Sequence, residues 1–463
     1  MFNKETYVSR RRRLMEAVND GIILFLGNNE APCNYPDNQY LFRQDSNFLY
    51  FFGIDHPGFA AVIDARTGEE TIFGDDVDID DIIWMGPQPS VSEQAAEVGV
   101  SRSLPFCQLA RVLGDARSKG RRIHFTPPYR YDNQIYLNQT LGVGFGQMKE
   151  AASVALIKAI ASMRLVKEAC EIAEIDKACD LGYVMHRTAM EMMQLGMKEQ
   201  ELVGVMEGVC RSGGYMCSFA TILSQHGETM HNHGHEGILT DGRLLLIDAG
   251  VEIGSHYCSD NTRTWPCSGK FTQQQKEIYT IVSDANNYAL AAARPGITYR
   301  EVHLGASRVI VEGLKAIGLV HGDTDEMVAA GVQGMFMPHG LGHNMGLDVH
   351  DMEDLGENIV GYDEGQTRAS QLGLGSLRMA RSLKPGNVIT DEPGIYFIPA
   401  LIEQWKSEGH NAQYIDFGRL EAYYDFGGIR LEDDILITDS GARLLGSARL
   451  PITVEEVEKA MAK

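Results

Sequence analysis

Short runs of apolar residues set the pattern of the first part of the chain. Each run is bounded by Gly, Asp or Pro, which is typical of strands separated by turns. The runs predict strands at 21–27, 48–54, 59–65, 70–74 and 121–127. The aromatic-rich stretch 40–53, YLFRQDSNFLYFFG, is expected to serve core and interface packing. We therefore predict a mixed α/β domain at 1–155.

The hydrophobic period changes near residue 150. Apolar residues then recur at i, i+3 and i+4 through 151–163 and 168–197, which predicts amphipathic helices. The change of period predicts that a second domain covers 156–463. Its further elements are expected at 272–318 as helices and at 387–398 and 427–438 as strands.

The stretch Leu244–Pro266, LLLIDAGVEIGSHYCSDNTRTWP, predicts a β-hairpin that carries Asp248 and Asp260. The apolar run that ends at Asp248 favours burial of this acid over a solvated position. If the turn centres on Gly254, the two acids face each other with Cβ atoms roughly 4.5–5.5 Å apart. Two carboxylates at that distance repel unless a cation lies between them. The hairpin therefore indicates a metal site.

A glycine-rich stretch at 337–351, MPHGLGHNMGLDVHD, contains His339, His343 and His350. Its glycines disfavour a regular helix, and position 340 is not the Glu of a helical zinc-protease motif. A single histidine is more often an ordinary core or surface residue. Three in a short glycine-rich loop, where the backbone can approach closely, are typical of a functional site.

Two later strands carry further acids. Glu392 ends the apolar run of VITDEPGI, and Glu432 lies in GIRLEDDILIT on the same strand face as Arg430. Each acid alone has a structural explanation, because Glu392 could accept backbone N–H groups and Glu432 could pair with Arg430. Together with the earlier acids and a histidine, they form a set rich in oxygen with no thiolate, which suits Mn²⁺, Co²⁺ or Zn²⁺. Two such ions about 3.5–4 Å apart can deprotonate water and polarise a carbonyl, which is the chemistry of amide hydrolysis.

Composition narrows the function further. The 463 residues carry a formal charge of −22, which disfavours nucleic acid and anionic membranes as partners. Arg10–Arg13 is the only basic run, and we expect it on the solvated face of an early helix. The sequence contains neither an 18-residue apolar stretch nor the pattern of a signal peptide, which predicts a cytoplasmic protein. Its eight cysteines form no CxxC motif, so a disulfide framework or zinc ribbon is not expected.

At these residues the sequence resembles the aminopeptidase P and prolidase family of pita-bread metallopeptidases. The resemblance covers nearly the whole chain, and stretch 40–53 is similar to the family's N-terminal domain. It implies a C-terminal domain with a curved antiparallel sheet covered by helices, and a dimer or higher homo-oligomer. The matching motifs, in the family's order, are LIDAG with Asp248, SDNTRTWP with Asp260, HGLGHNMGLDVHD with His343, TDEPGIY with Glu392 and GIRLEDDILIT with Glu432.

The resemblance also implies roles. These five residues would hold two divalent ions, usually manganese, and Glu392 would also take the proton of the attacking water. His231 and His350 match substrate-facing catalytic histidines, and Arg430 would orient Glu432. His339, Arg378 and Arg430 are expected to contribute to substrate binding. An alternative for His226, His231, His233 and His235 is an accessory metal-binding tract.

Both members of the family cleave before proline, and the sequence leaves a choice between them. We favour an Xaa-Pro aminopeptidase because the N-terminal stretch looks like that of the bacterial enzymes. The alternative is a prolidase, which cleaves Xaa-Pro dipeptides, because Arg378 matches a prolidase position that binds the free carboxylate. A pita-bread protein that has become a non-catalytic binding module, or a metal-free amidinohydrolase, is disfavoured because all five ligands are present.

Two positions depart from the family's pattern. The spacing from Asp248 to Asp260 is one residue longer, so we expect a longer loop or a bulge near Gly254. Asp391 replaces the apolar residue that relatives usually have there, and we expect it to face away from Glu392.

Overall fold

The computed structural model of the protein describes residues 2–462. Its α-helices are α1 (Lys4–Val18), α2 (Ser46–Phe52), α3 (Ile79–Met85), α4 (Val91–Glu97), α5 (Leu109–Ser118), α6 (Tyr131–Leu141), α7 (Met148–Ala151), α8 (Val154–Arg164), α9 (Ala169–Met192), α10 (Glu199–Gly213), α11 (Gln273–Ala292), α12 (Tyr299–Ala316), α13 (Thr324–Ala330), α14 (Glu357–Val360), α15 (Pro399–Glu408), α16 (Phe417–Leu420) and α17 (Val454–Ala460).

The strands are β1 (Ile22–Leu26), β2 (Pro32–Tyr35), β3 (Asn38–Gln39), β4 (Ala60–Asp64), β5 (Glu70–Phe73), β6 (Ser103–Leu104), β7 (Ile123–His124), β8 (Met216–Cys217), β9 (Ile222–Ser224), β10 (Leu244–Ala249), β11 (Val251–Glu252), β12 (Asn261–Pro266), β13 (Val388–Asp391), β14 (Gly394–Tyr396), β15 (Gly428–Arg430), β16 (Asp433–Ile437) and β17 (Ala442–Leu444). The chain forms two compact units, Met1–Arg164 with Glu353–Ile359, and Leu165–Met352 with Val360–Lys463.

The first unit is built on a five-stranded mixed sheet in the order β6-β5-β4-β1-β7. The three central strands pair antiparallel, and the short edge strands β6 and β7 pair parallel to their neighbours. The side chains of β4 from Ala60 to Ile63 are buried, because the sheet is covered by apolar side chains on both faces.

The predicted strand at 48–54 is wrong, because these residues form helix α2. Asp45 caps its N-terminus by accepting from Phe48 N at 2.9 Å, and Gly53 ends it at φ 62° in the left-handed region. Every residue of α2 is buried. An apolar run buried all round has no helical period, so its sequence alone does not separate helix from strand.

The expected solvated arginine face of the first helix is also wrong for two of the four arginines in the run. Arg10 and Arg11 are both fully buried. The guanidinium of Arg10 lies 3.8 Å from the centre of the Tyr50 ring, and Arg11 donates to the carbonyl of Phe51 at 2.9 Å and pairs with Glu70 at 3.0 Å. A planar guanidinium that finds a ring, a carbonyl and a carboxylate can be buried.

In the second unit, the two long predicted helical regions are each divided. The first ends at Met192, before Gly196 at φ 87°, and α10 begins only at Glu199. The second is split between α11 and α12 at Gly296, which adopts φ 88°. Positive φ values suit glycine, so each glycine marks the turn between two helices.

The strands of the second unit all pair antiparallel, in the orders β12-β10-β9, β11-β8, β13-β16-β17 and β14-β15. Strand β12 connects the separate sheets. Glu432 N donates to Thr262 O at 2.9 Å, and Arg430 N donates to Thr264 Oγ1 at 3.3 Å. The hairpin and the later strands are therefore joined along β12. Within residues 2–462, no helix combines the length and apolar character needed to span a bilayer.

Candidate metal centre

The sequence predicted that Asp248 and Asp260 face each other directly. In the structure they do not. In the β10–β12 pairing Asp248 lies opposite Thr262. Asp260 precedes Thr262 by two residues and therefore points to the same face of the strand. Both acids line one cavity. The direct pairing is wrong, but the two carboxylates still point to a common space.

The reason is the position of the turn. The register of the hairpin continues to a bridge between Glu252 and Cys258, so the connection centres on Ser255 and not on Gly254. His256 adopts φ 67°, an uncommon value for a residue with a side chain. Moving the centre of the turn by one residue shifts the pairing by two positions, which keeps each side chain on its predicted face.

His343 is oriented by a side-chain hydroxyl and by a backbone carbonyl. Its N–H donates to Thr390 Oγ1 at 3.0 Å, and its ring Nδ1 lies 3.1 Å from the carbonyl of Asn344. An Nδ1–H that donates to this carbonyl leaves the lone pair of Nε2 free for a metal. Nε2 lies 3.5 Å from Asp260 Oδ2 and 3.7 Å from Glu392 Oε1.

Helix α12 supports the same loop from behind. His303 Nδ1 accepts from Leu341 N at 3.1 Å, and Tyr299 donates to the carbonyl of Thr390 at 2.6 Å. Burial lowers the pKa of His303 to about 4, so its ring is neutral and can accept. Both residues are fully buried, and neither was predicted from the sequence.

Glu392 and Glu432 are held at strand ends. Glu392 N donates to Leu341 O at 2.9 Å, which joins β13 to the histidine-bearing loop. Glu432 lies between β15 and β16, and its Oε2 accepts from the hydroxyl of Thr262 at 2.6 Å. Both predicted acids therefore project from the later strands toward the hairpin.

The five predicted metal ligands line one cavity of about 360 Å³. Ligand atoms of Asp260, His343 and Glu432 all lie within 4.8 Å of one another. Apolar side chains, including Phe219 and Met230, form another part of the wall. The structure thus brings together two acids of the hairpin, one histidine of the glycine-rich loop and two acids of the later strands.

Crowding of buried acids disturbs their ionisation. Burial, followed by the charge of Asp248, raises the pKa of Asp260 well above its usual range. Burial, followed by the charge of Asp260, raises the pKa of Glu432 well above its usual range. Burial also raises the pKa of Glu392 against the opposing effect of His343. The pKa of His343 is lowered by burial, which favours the neutral ring that binds metals. A divalent cation would relieve this repulsion.

Two unpaired oxygen atoms indicate where a cation fits. Asp248 Oδ1 and Asp260 Oδ1 are buried and have no hydrogen-bond partner among residues 2–462. A buried acceptor without a partner costs about 1–3 kcal/mol, and more when charged. Carboxylate oxygens with one imidazole form a donor set that binds Mn²⁺ or Zn²⁺. The residues present fit a divalent metal.

Arg430 corrects one prediction, because its direct carboxylate partner is Asp248 and not Glu432. The guanidinium donates to Asp248 Oδ2 at 2.5 Å, to Thr262 Oγ1 at 3.0 Å and to the hydroxyl of Tyr396 at 2.9 Å. It reaches Glu432 only through Thr262, whose hydroxyl donates to that acid. Arg430 therefore orients Asp248 directly and Glu432 indirectly.

His339 lines the cavity and is fixed by neighbours on both ring nitrogens. Nε2 accepts from the hydroxyl of Tyr396 at 2.9 Å, and Nδ1 lies 2.8 Å from the carbonyl of Gly340. Burial, together with nearby Arg430, lowers the pKa of His339 to about 3. The ring is therefore neutral and connected through Tyr396 to Arg430.

His231 and His350 also line the cavity. Burial, with Arg430 adding to it, lowers the pKa of His231. The ring of His350 packs 4.1 Å from that of His343 at 60°. Arg378 contacts Nδ1 of His350, but among the described residues it is not part of the cavity wall.

Asp391 is fully buried, and both of its carboxylate oxygens are without a hydrogen-bond partner in the described part of the chain. It pairs across the sheet with Asp433, and burial together with Asp433 raises the pKa of Asp391 well above its usual range. It does not belong to the cavity wall, whereas Glu392 does. Nothing in the structure explains a carboxylate at this position.

Three residues of the site have no assigned role from the sequence, and each follows a predicted ligand by two or four positions. Thr262 holds Glu432, Tyr396 joins His339 to Arg430, and Asp434 accepts from the N–H of Asp260 at 2.9 Å. Residues separated by an even number along a strand share a face. That period is the signal that could have found them.

Comparisons with known proteins agree with this geometry. The family description "Metallopeptidase family M24" matches residues 173–439, and "Aminopeptidase P, N-terminal domain" matches 7–124. An Xaa-Pro dipeptidase of Homo sapiens is 33% identical over 470 residues, covering 99% of this chain and 92% of the relative. A probable Xaa-Pro aminopeptidase of Aspergillus niger is 31% identical, covering 97% and 95%.

Solved structures show the same likeness. Aminopeptidase P of Escherichia coli with the inhibitor Pro-Leu has a TM-score of 0.80 at 30% identity, covering 99% of this chain and 98% of the other. Proline aminopeptidase P II of Yersinia pestis has a TM-score of 0.79 at 29% identity, covering 99% of both chains. The fold and the site define a metallopeptidase with a pita-bread domain. The chain belongs to metallopeptidase family M24, and the predicted family and fold class are confirmed.

Proposed function

We propose that this enzyme hydrolyses the peptide bond before proline in Xaa-Pro peptides. One observation carries the proposal: five donors line one cavity, four of them buried and Glu392 half-buried, and Asp248 and Asp260 each keep an oxygen without a hydrogen-bond partner among residues 2–462. Relatives named Xaa-Pro dipeptidase and Xaa-Pro aminopeptidase support the substrate class. An Xaa-Pro bond lacks an N–H and carries a rigid ring, which calls for a dedicated site.

The metal would be held by the two hairpin acids, the loop histidine and the two strand acids, namely Asp248, Asp260, His343, Glu392 and Glu432. We propose two divalent ions, with Mn²⁺ as the metal and Co²⁺ or Zn²⁺ as alternatives that the same donors accept. Such a pair of ions, when bound, polarises the scissile carbonyl and lowers the pKa of water.

Glu392 is the residue we assign to proton transfer. Its carboxylate lines the cavity, and burial raises its pKa, so it can hold a proton at neutral pH more readily than an exposed acid. It would accept the proton of the attacking water and deliver it to the proline nitrogen, which leaves as a secondary amine.

His231 and His350 face the same cavity and would donate hydrogen bonds to the oxygen that becomes negative in the transition state. His339 would form part of the substrate-binding wall, where Tyr396 and Gly340 fix its ring. Arg430 would act through Asp248, which it holds in place.

The first candidate activity is that of an Xaa-Pro aminopeptidase, which releases the residue before proline from a longer peptide. The likeness to aminopeptidase P extends over 99% of the chain. Arg378, the candidate carboxylate clamp of a dipeptidase, contacts His350 and is not among the described residues of the cavity wall. A cavity without such a clamp suits a substrate whose chain continues beyond proline.

The second candidate is a prolidase, which takes only Xaa-Pro dipeptides. It is favoured by Arg378, because its guanidinium contacts His350, a residue of the cavity wall, and is the kind of group that pairs with a free carboxylate. Dipeptidases from Homo sapiens and Rattus norvegicus, at 33% and 34% identity, support the same candidate.

We further propose a cytoplasmic homodimer with an N-terminal domain at 1–155 and a catalytic domain at 156–463. The exposed apolar side chains of α3 support an interface in the first unit, since Ile83 is 68% exposed, Trp84 86% and Met85 60%. Light scattering coupled to gel filtration would test it. Trp84→Ser should lower the dimer fraction, and an unchanged mass would argue against this interface.

Peptide hydrolysis with Mn²⁺ tests the function. We expect Gly-Pro-Ala to release glycine, and Gly-Ala-Ala to remain intact. Cleavage of Gly-Pro at a comparable or higher rate would favour the prolidase candidate. Asp260→Asn should abolish hydrolysis, while Asp241→Asn, an exposed acid in the turn before β10, should match the parent. If neither proline peptide is cleaved, the proposed function is wrong.

A further inference from the structure

A loop at 226–235, here called the histidine loop, follows β9 and carries four histidines. Only His231 has a role in the scheme above. The structure shows that His233 lines the same cavity as His231. The tract is therefore not a uniform accessory site, because two of its histidines face the cavity of the metal centre and two do not.

Asn232 explains this arrangement. Its Nδ2 donates to Ser224 Oγ at 3.0 Å, and its Oδ1 accepts from Gly234 N at 3.0 Å. These two hydrogen bonds fix the asparagine side chain against β9. The side chains on either side of it, His231 and His233, are then directed to the cavity.

The other two histidines serve the loop or the surface. Nδ1 of His235 lies 3.0 Å from the carbonyl of Leu223, so this ring fastens the loop to β9. His226 pairs with Glu228 at 3.0 Å, and its side chain is 61% exposed. Neither belongs to the cavity wall as the described residues form it.

The ring of His233 makes no hydrogen bond or ion pair with any residue in 2–462. It is exposed, it lines the cavity, and no acid among the described residues pairs with it. An imidazole in this state offers an N–H to a bound molecule without giving up a contact within the protein.

The place of the scissile bond indicates which end of a peptide this donor meets. In the proposed reaction the bond before proline lies at the metal-holding acids Asp248, Asp260, Glu392 and Glu432, and His233 is not one of these ligands. An imidazole N–H repels a cation when protonated and pairs with an oxygen in either state. When the amino end of the peptide lies at the acids, the peptide oxygens that remain available to His233 are those on the C-terminal side of the proline.

We propose that His233 is a substrate-positioning residue that donates a hydrogen bond to an oxygen on the C-terminal side of the proline. That oxygen is the carbonyl of a longer peptide or the terminal carboxylate of a dipeptide, which share the same acceptor chemistry. The inference rests on the proposed function, and it adds a specificity determinant that the ligand set does not contain.

The test compares KM and kcat of His233→Leu and His233→Gln with those of the parent on Gly-Pro-Ala, Gly-Pro and Gly-Pro amide. Loss of one hydrogen bond should raise KM roughly three- to tenfold with kcat nearly unchanged. Gln keeps an N–H donor and should recover part of the loss. A larger rise in KM for Gly-Pro than for Gly-Pro amide would identify the terminal carboxylate as the acceptor of the hydrogen bond. Equal rises in KM would identify the carbonyl as the acceptor.

Two further measurements keep the test decisive. The dipeptide Pro-Leu presents only the C-terminal side, so its inhibition constant should rise by the same factor in His233→Leu. Asn232→Ala should release both His231 and His233, so it should raise KM as His233→Leu does and lower kcat as well. His226→Leu is the matched control and should behave as the parent.

Two outcomes would overturn the inference, and they are distinct. If the parent cleaves the proline peptides but His233→Leu has parental KM values for all of them and parental inhibition by Pro-Leu, His233 does not position the substrate. If the parent cleaves none of the three peptides, the proposed function fails and this inference fails with it.

Discussion

The guanidinium of Arg430 donates to Asp248 Oδ2 at 2.5 Å, and this contact is one of those that link the hairpin to the later strands of the site. The same side chain holds Thr262, whose hydroxyl donates to Glu432. The buried guanidinium of Arg430 thus sets the positions of two acids that come from distant parts of the sequence. It also offsets part of their repulsion, since both carboxylates lie in a buried cavity.

Arg430→Lys should keep the charge but lose the planar fork, because an ammonium group cannot hold Asp248, Thr262 and Tyr396 at once. We expect Mn²⁺ affinity and hydrolysis of Gly-Pro-Ala to fall about 10–100-fold, the usual effect of removing a group that orients metal ligands. Calorimetric titration of Mn²⁺ measures the first effect. Arg243→Lys, which affects a largely exposed pair with Asp425, is the control and should change neither. Parental Mn²⁺ affinity in Arg430→Lys would contradict the role of this contact.

Gly342 is required by a close approach of backbones. A Cβ at this position would meet the carbonyl of Thr390, so Gly342→Ala should displace the loop that carries His343. We expect a loss of about 1–3 kcal/mol in the free energy of unfolding, typical of overpacking, and weaker Mn²⁺ binding. Gly254→Ala is the matched control, because a Cβ there meets open space. Equal unfolding curves in urea for the two variants would contradict this account.

Asp64 ends β4 and is paired with Arg121 at 2.8 Å. The hydrogen bond from Arg121, against the opposing effect of burial, lowers the pKa of Asp64 from 3.8 to about 2. A carboxyl with a lowered folded pKa stabilises the protein above the unfolded pKa, and this contribution is lost as pH falls from about 4 toward 2. Asp64→Asn should therefore destabilise the first unit by about 1–2 kcal/mol at pH 7, allowing for partial exposure.

Hydrogen exchange of the β4 amides at several pH values would check this prediction. The difference between Asp64→Asn and the parent should shrink as the pH approaches 3. A difference that stays constant from pH 7 to pH 3 would show that the ionised pair is not its source.

The sequence was sufficient to predict a set of residues that line one cavity but not their exact pairing. Residue type and strand period identified Asp248, Asp260 and Glu432 as acids on inward faces. The register depended on the turn, and a shift of its centre from Gly254 to Ser255 changed the opposite residue of Asp248 to Thr262. Because the shift moves the pairing by two residues, the predicted face survived while the predicted contact did not.

Long-range packing limited the prediction elsewhere. Helix α2 is buried on all sides, so its apolar run had no period to reveal it. Arg10 is buried because the ring of Tyr50 and its carbonyl lie beside it, 40 residues away in the chain. In the same way, His303 supports the loop of His343 from a helix that has no local link to it. Such partners are defined only by the folded structure.

Calorimetric titration of Mn²⁺ into the metal-free protein, together with Asp260→Asn and Glu432→Gln, tests the metal centre most directly. The account predicts that the parent binds about two ions per chain, as a paired-metal site requires. Both variants should lose at least one of them while keeping the circular dichroism spectrum of the parent. A parent protein that binds no Mn²⁺, Co²⁺ or Zn²⁺, or variants that bind as many ions as the parent with the same affinity, would contradict it.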